Sequence, residues 1–253
     1  MRLSLLLLLL LLPAVPTVAG GLCDRPLVVN VGDWRPYTWR LANGDAGGID
    51  IDVLRRAAAR LQCRLAFVEV PPERAHPLLE EGRIDILLAA SDLPERRRYA
   101  WFSAPYRQEV MAVLAARPPQ PAPSSLTAVA DSTVILLAPR FGWYGRDYAR
   151  DRATLQDAGQ LQLFDDYAQG IAMLAAGRGG LILGDERALQ YEARAQGLSL
   201  RRLFVTNASP VHLMFSRRTF GAADVARFNA ALGAALPAAS AAPGDRATPA
   251  GKP

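Results

Sequence analysis

Short apolar runs that alternate with segments of helical periodicity constrain this chain more than any other feature. Leu27-Val-Val-Asn-Val31 is an apolar run too short for a helix and reads as a buried strand. From Ile49 to Leu61 the apolar positions Leu54, Ala57, Ala58 and Leu61 recur at helical spacing. Leu65 to Val70 then reads as a strand, Glu73 to Glu81 as a short helix and Ile84 to Ala89 as a third strand. Parallel neighbours need a crossover between them, so strand–helix–strand–helix–strand with short links predicts a mainly parallel sheet flanked by helices.

The rhythm returns beyond a stiff proline-rich connection, Pro118 to Pro123. Strands are expected at Val110 to Ala115, Thr133 to Ala138, Leu161 to Phe164 and Gly180 to Gly184. Helices are expected over Tyr144 to Leu155, Asp166 to Ala176 and Asp185 to Ala195. Two separate strands, Leu200 to Val205 and Val211 to Phe215, lead back to a final alanine-rich helix from Ala222 to Leu236. The fold class is therefore α/β, in two units.

The ends carry different information. Met1-Arg2, the leucines from Leu5 to Leu12 and the small residues Thr17-Val18-Ala19 have the order of a secretory leader, so residues 1–19 are expected to be removed. The leucine run is shorter than the roughly 20 apolar residues a bilayer span needs. About 230 residues remain, enough for two modest lobes. Residues 237–253, rich in Ala, Pro, Gly and Ser, are expected to be a disordered tail. The net charge of +5 is spread along the chain without a dense basic tract, which argues against nucleic acid as a partner. With two histidines, His76 and His212, and no CxxC pair, neither a metal nor another cofactor is expected.

The two cysteines, Cys23 and Cys63, precede the first two strands. Export places them in an oxidising compartment, and parallel neighbouring strands would put both at one end of the sheet, so a disulfide is expected. Closing a loop of about 40 residues stabilises by roughly 4 kcal/mol in the chain-entropy model.

Several segments, in order, resemble the bacterial extracellular solute-binding proteins of family 3, the polar amino-acid binders of ABC importers. They are Val31-Gly-Asp-Trp-Arg-Pro-Tyr37, Gly48-Ile-Asp-Ile-Asp-Val-Leu54, Leu79-Glu-Glu-Gly-Arg-Ile-Asp85, Pro94-Glu-Arg96 and Phe102-Ser-Ala-Pro-Tyr106. Leu174-Ala-Ala-Gly-Arg178 and Leu181-Ile-Leu-Gly-Asp-Glu186 continue the series in the second unit. The resemblance implies a type II periplasmic binding protein: lobe 1 from 24–108 and 211–236, lobe 2 from 109–210, and two hinge strands near Arg107 to Met111 and Asn207 to Val211. It further implies a monomer in the periplasm, a small amino-acid-like ligand in the interlobe cleft and an ABC permease in the inner membrane as partner.

The resemblance also implies a ligand-binding set. Arg96 takes the position of the arginine that clamps a ligand carboxylate, work suited to the planar guanidinium fork. Ser91 offers a hydroxyl nearby. Asp185 takes the position of the carboxylate that pairs with a ligand ammonium, although an Asp at the start of a helix is equally a preferred N-cap. Trp34 is placed as an aromatic wall or as packing against Pro36 and the sheet; Phe141 follows the first strand of the second unit, with the same alternatives. Departures from the family pattern, Leu93 and Ala89 before the arginine, Ala138 to Gly142 in the second unit and Gly180, remove polar contacts and add Arg140 as a second anion partner. A non-enzymatic binder is expected. Two alternatives stand beside it: an enzyme of the same fold, similar to periplasmic cyclohexadienyl dehydratase, and a sensory module that presents solute to a membrane receptor.

Overall fold

A computed structural model describes residues 22–236. The expected leader and the tail from 237 lie outside the described residues. Two halves, each a sheet between helices, share a pair of crossing strands.

In the first half, β1 (Leu27–Asn30) is flanked in parallel by β4 (Leu65–Val68) and β5 (Ile86–Ala90). The hairpin β2 (Trp39–Arg40) and β3 (Ala46–Gly47) leads into α1 (Ile49–Arg60), and α2 (Pro72–Glu80) connects β4 to β5. Leu27 pairs with Leu65, so the cysteines four residues before one and two before the other meet in the Cys23–Cys63 disulfide, with Cα atoms 4.9 Å apart. Asp85 secures the same end of the sheet: it accepts two hydrogen bonds of 2.7 Å from Arg25 and one of 2.7 Å from the Val28 amide. These partners outweigh burial and hold its carboxyl below the ordinary aspartate value.

In the second half, β8 (Leu136–Pro139) runs parallel to β9 (Leu161–Phe164) and to β10 (Leu181–Asp185). Helices α3 (Leu126–Ala130), α4 (Arg146–Asp157), α5 (Tyr167–Ala175) and α6 (Glu186–Ala195) cover its faces. Asp166 caps α5, accepting from the Gln169 amide, and Asp185 caps α6, accepting from the Ala188 amide. α4 begins two residues later than its periodicity predicts, because Gly145 adopts φ 102° just ahead of it.

β7 (Arg107–Ala115) and β11 (Arg201–Ser216) carry the chain between the halves. They pair antiparallel from Arg107 opposite Val211 to Ala115 opposite Arg201. The far end of β11 then pairs with β5 and with β6 (Ala100–Phe102). Here the structure corrects the sequence reading: the two strands expected at 200–205 and 211–215 are one strand of 16 residues. Asn207-Ala-Ser-Pro210 has the composition of a turn, but β7 supplies a continuous partner, and two register shifts absorb the irregularity.

Both halves bury apolar layers on each side of their sheets. In the first, α7 (Ala222–Ala235) and α1 cover one face, where the rings of Phe215, Phe220 and Phe228 meet at centroid separations of 4.9 to 5.9 Å. Burying each such side chain contributes about 1.5–3 kcal/mol. The core on the α5–α6 face of the second half takes in Tyr37, a residue of the loop after β1.

Candidate functional site

Residues at and just beyond the carboxyl ends of β1, β4, β5, β8 and β9 line one cleft of about 770 Å³. This is where ligands sit in open α/β sheets, since the loops that leave those strand ends converge there. β7 forms part of the wall. Side chains alternate along a strand, so Glu109 and Met111 face the cleft while Gln108 and Val110 line a smaller pocket of about 440 Å³ with Tyr37, Arg107 and Asp185.

The loop after β1 is held in place by α1. The Ile49 and Asp50 amides at the start of that helix donate to the carbonyls of Pro36 and Tyr37, at 3.1 and 3.0 Å. Gly48 makes this approach possible: at φ 124° it lies in a region side chains rarely adopt, and a Cβ there would collide with the Tyr37 carbonyl. The loop then projects Trp34 and Tyr37 toward the second half, with ring centroids 5.1 Å apart.

A polar cluster lies behind those rings. Arg107 donates to both oxygens of the buried Asp50, at 2.9 and 3.2 Å, and its guanidinium lies 3.7 Å from the centroid of the Tyr37 ring. Tyr106 adds a hydrogen bond of 2.8 Å to Asp50. Burial outweighs these partners at Asp50 and raises its carboxyl above the ordinary aspartate value; at Arg107 burial acts against the charge, and Asp50 more than compensates. The Tyr37 hydroxyl donates to Asp185 at 3.1 Å, across the two halves.

Of the candidate ligand contacts, Trp34, Ser91, Arg96 and Phe141 come together in the cleft. Arg96 opens a short 3-10 turn with Arg97 and Arg98. Arg97 pairs with Asp92 and Arg98 bonds the Glu95 carbonyl, whereas Arg96 alone of the three lines the cleft. Its Nη1 donates to the Ser91 carbonyl at 3.2 Å, and among the described residues no carboxylate comes within ion-pair distance of it. Burial lowers its affinity for the proton without removing its charge. Trp34 both lines the cleft and packs against the second core; its buried indole N–H has no hydrogen-bond partner among the described residues. Phe141 is 46% exposed at the rim.

Asp185 and Arg140 fall outside that lining. Asp185 is 1% exposed, and its Oδ1 is shared between the Ala188 amide and the Tyr37 hydroxyl. Its own amide donates to the Tyr167 hydroxyl at 3.0 Å. The N-cap reading of Asp185 thus describes what its side chain does in this structure. Arg140 lies on the surface, paired with Asp165 at 2.7 Å.

Glu109 occupies the wall instead. It is 3% exposed, and its Oε1 has no hydrogen-bond partner among the described residues; the nearest cation is Arg107 Nη1, 3.8 Å away, which Asp50 leaves without a hydrogen bond of its own. Burial, assisted by Asp185 and Asp50 and opposed by Arg107, pushes its carboxyl up to about 8. His76, also in the lining, accepts or donates one bond of 3.1 Å with the Tyr99 hydroxyl, and burial together with Arg96 pushes it down to about 4, so it is neutral near pH 7. Sequence reasoning missed Glu109 because Arg107-Gln108-Glu109 reads as the polar entry to a strand. The alternation that puts Glu109 on the face of the apolar Met111 was the available clue.

Comparison with known proteins fits this geometry. Over 83 residues, 32% of this chain and 31% of the relative, the sequence is 30% identical to the cyclohexadienyl dehydratase of Pseudomonas aeruginosa. Over 95 residues, 35% of this chain and 37% of the relative, it is 28% identical to a probable amino-acid ABC transporter-binding protein of Haemophilus influenzae. The matched stretches thus span about a third of each relative. Among solved structures, a histidine kinase sensor domain with similarity to periplasmic binding proteins superposes with a TM-score of 0.68 at 22% identity, over 83% of this chain and 90% of that one. A mutant of ArgBP from T. maritima gives 0.68 at 17% identity, over 83% and 88%. These likenesses show the fold, a two-half α/β architecture shared with periplasmic binding proteins. The family match covers residues 27–237, and on it the chain belongs to the bacterial extracellular solute-binding proteins, family 3.

Proposed function

We propose that the protein captures a small carboxylate-bearing solute, an amino acid or a related acid, in this cleft outside the cytoplasm and passes it to an ABC permease. One observation carries the reading: Arg96 presents a charged guanidinium to the cleft with a single backbone carbonyl as partner. A buried or half-buried arginine without a carboxylate is costly to maintain, and a planar anion would complete its coordination. Trp34 and Phe141 supply apolar walls, and Ser91 lies beside the clamp. The relative from Haemophilus, described as an amino-acid ABC transporter-binding protein, supports the transport assignment.

The test is a calorimetric and thermal-shift screen of the oxidised protein against amino acids, dicarboxylates, polyamines and sugars. A ligand that binds only the folded state raises the melting midpoint by mass action. A carboxylate ligand whose binding disappears in Arg96→Ala supports the reading; a sugar or polyamine that binds Arg96→Ala unchanged ends it.

A second reading has its own observation. Glu109 is a carboxyl still protonated near neutral pH in the cleft wall, and a general acid needs that property. The stretch similar to the Pseudomonas dehydratase agrees with it. Loss of water from a hydroxy acid on incubation with the wild-type protein, absent with Glu109→Gln, would establish catalysis.

A further inference from the structure

On the side of the first half, the cleft opens onto hydrocarbon. Its lining runs from Val70 past Ala75 of α2 to Leu87 and Ala90 of β5, residues that otherwise belong to the apolar layer between α2 and the sheet. A regular strand shows alternate residues to one face, yet four in a row, Leu87 to Ala90, line the cleft. β5 bulges to allow this: its register against β11 shifts between His212 and Met214, and Ala89 sits at φ 51°, a conformation rare for a residue with a side chain. Strain of that kind gathers at ligand sites, and here it turns only apolar residues toward the cleft. Arg96 adjoins this recess, since burial first and the Arg96 charge second keep His76 of α2 neutral near pH 7. An ammonium group, by contrast, would find its candidate acceptors committed. Asp185 is taken by Tyr37 and the cap of α6, and Glu109 faces Arg107 Nη1 at 3.8 Å. Asp33 pairs with Arg35, Asp165 with Arg140, and Asp166 caps α5. Glu69 and Glu73 are exposed to solvent, which screens them.

We propose that the cleft selects acids with an apolar body and no positive group, aryl or branched-alkyl monocarboxylates, with the carboxylate on Arg96 and the body in the recess between α2 and β5. The proposal rests on the carboxylate reading above and narrows it away from amino acids. Two physical effects set the preference. Each methylene that leaves water for the recess raises affinity about fourfold. An ammonium buried without an acceptor loses its hydration and recovers nothing, so an α-amino group lowers affinity. Space is sufficient for an aryl body: the cleft volume of about 770 Å³ falls within the range of roughly 300–1,000 Å³ that holds drug-sized ligands. Met111 and Phe141 add apolar surface from the facing wall and the rim.

Titration calorimetry on the oxidised wild-type protein at pH 7 tests this with butanoate, hexanoate, 3-phenylpropanoate, L-phenylalanine and L-glutamate. The expected affinity rises about fourfold per methylene from butanoate to hexanoate, with a negative heat-capacity change. 3-Phenylpropanoate should bind at least about tenfold tighter than L-phenylalanine, which differs from it by the amino group alone. Ala75→Leu, which fills the recess, should weaken 3-phenylpropanoate at least about tenfold and butanoate less than about threefold. Circular dichroism shows whether Ala75→Leu is folded, and the wild-type series stands without the variant. L-Phenylalanine or L-glutamate bound as tightly as 3-phenylpropanoate, or hexanoate bound no tighter than butanoate, overturns the proposal; if Arg96→Ala abolishes whatever binding is seen, the carboxylate reading survives. If no probe produces heat or a thermal shift, both fall together.

Discussion

Arg96 lines the cleft and Arg107 lines the smaller pocket beside it; both are largely withdrawn from water, and the protein treats them differently. Arg107 is clamped by Asp50, stacked on Tyr37 and flanked by Trp34 and Tyr106. Arg96 has one carbonyl. The carboxylates divide in the same way: Asp185 is shared between a helix cap and a tyrosine, while Glu109 Oε1 has no hydrogen-bond partner among the described residues and only Arg107 Nη1, 3.8 Å away, to face it. The fold itself supplies the partners of Asp50 and Asp185. Arg96 has no carboxylate partner among the described residues. Charged groups that stabilise and charged groups that recognise are thus separable by whether their complement is already present.

The largest expected effect comes from removing one of the partners the fold supplies. Asp50→Ala strands the Arg107 guanidinium in a buried site and should cost about 3–5 kcal/mol in urea unfolding. A loss below about 1 kcal/mol would mean that the stacked rings alone hold Arg107. The reverse sign is expected on the cleft side. The Glu109 carboxyl is raised to about 8, so the stability it allows is fully present below its unfolded value, near 4.5, and is lost as pH rises through 8. Glu109→Gln should therefore be more stable than wild type by about 2–4 kcal/mol at pH 9 and indistinguishable from it at pH 4. Equal melting midpoints at both pH values would remove the contrast between the two carboxylates.

Arg96→Ala sharpens the comparison through binding. The melting midpoint of the ligand-free protein should be unchanged or slightly higher, while affinity for the cognate carboxylate falls about 100-fold, equivalent to roughly 3 kcal/mol. A ligand-free protein that unfolds several degrees earlier would place Arg96 with the structural arginines. The smallest effect is expected from Tyr37→Phe, which removes only the hydroxyl bond to Asp185 and should cost about 1 kcal/mol. Asp185 would keep the Ala188 amide, so a loss much above that figure would show that the bond between the halves carries more than its own weight.

The alternation of strands and helices was legible in the residues because hydrophobic period is a local property. Leu161–Phe164 and the elements around Asp166 and Asp185 follow directly from it. The disulfide was legible too, since two cysteines before two parallel strands have one natural meeting place. β11 was not: Pro210 and Asn207 argue locally for a break, and only the distant partner β7 overrides them. The same limit applies to the site. Arg96 could be found from its place in a motif, but the exclusion of Asp185 from the cleft depends on a tyrosine 148 positions away, and Glu109 gains its meaning from walls contributed by both halves. Contacts of that range leave no periodic trace.

The crossing strands also set the mechanics of the cleft. A ladder of backbone hydrogen bonds between β7 and β11 resists twisting apart but yields to bending, like a leaf spring rather than a pin joint. Any widening of the cleft therefore follows essentially one soft coordinate, with curvature spread along the ribbon and taken up first at its register shifts. A solute leaving the cleft would then work against the elastic stiffness of two strands, and substitutions far from the cavity, at Phe204 or Thr206 beside those shifts, become levers on residence time.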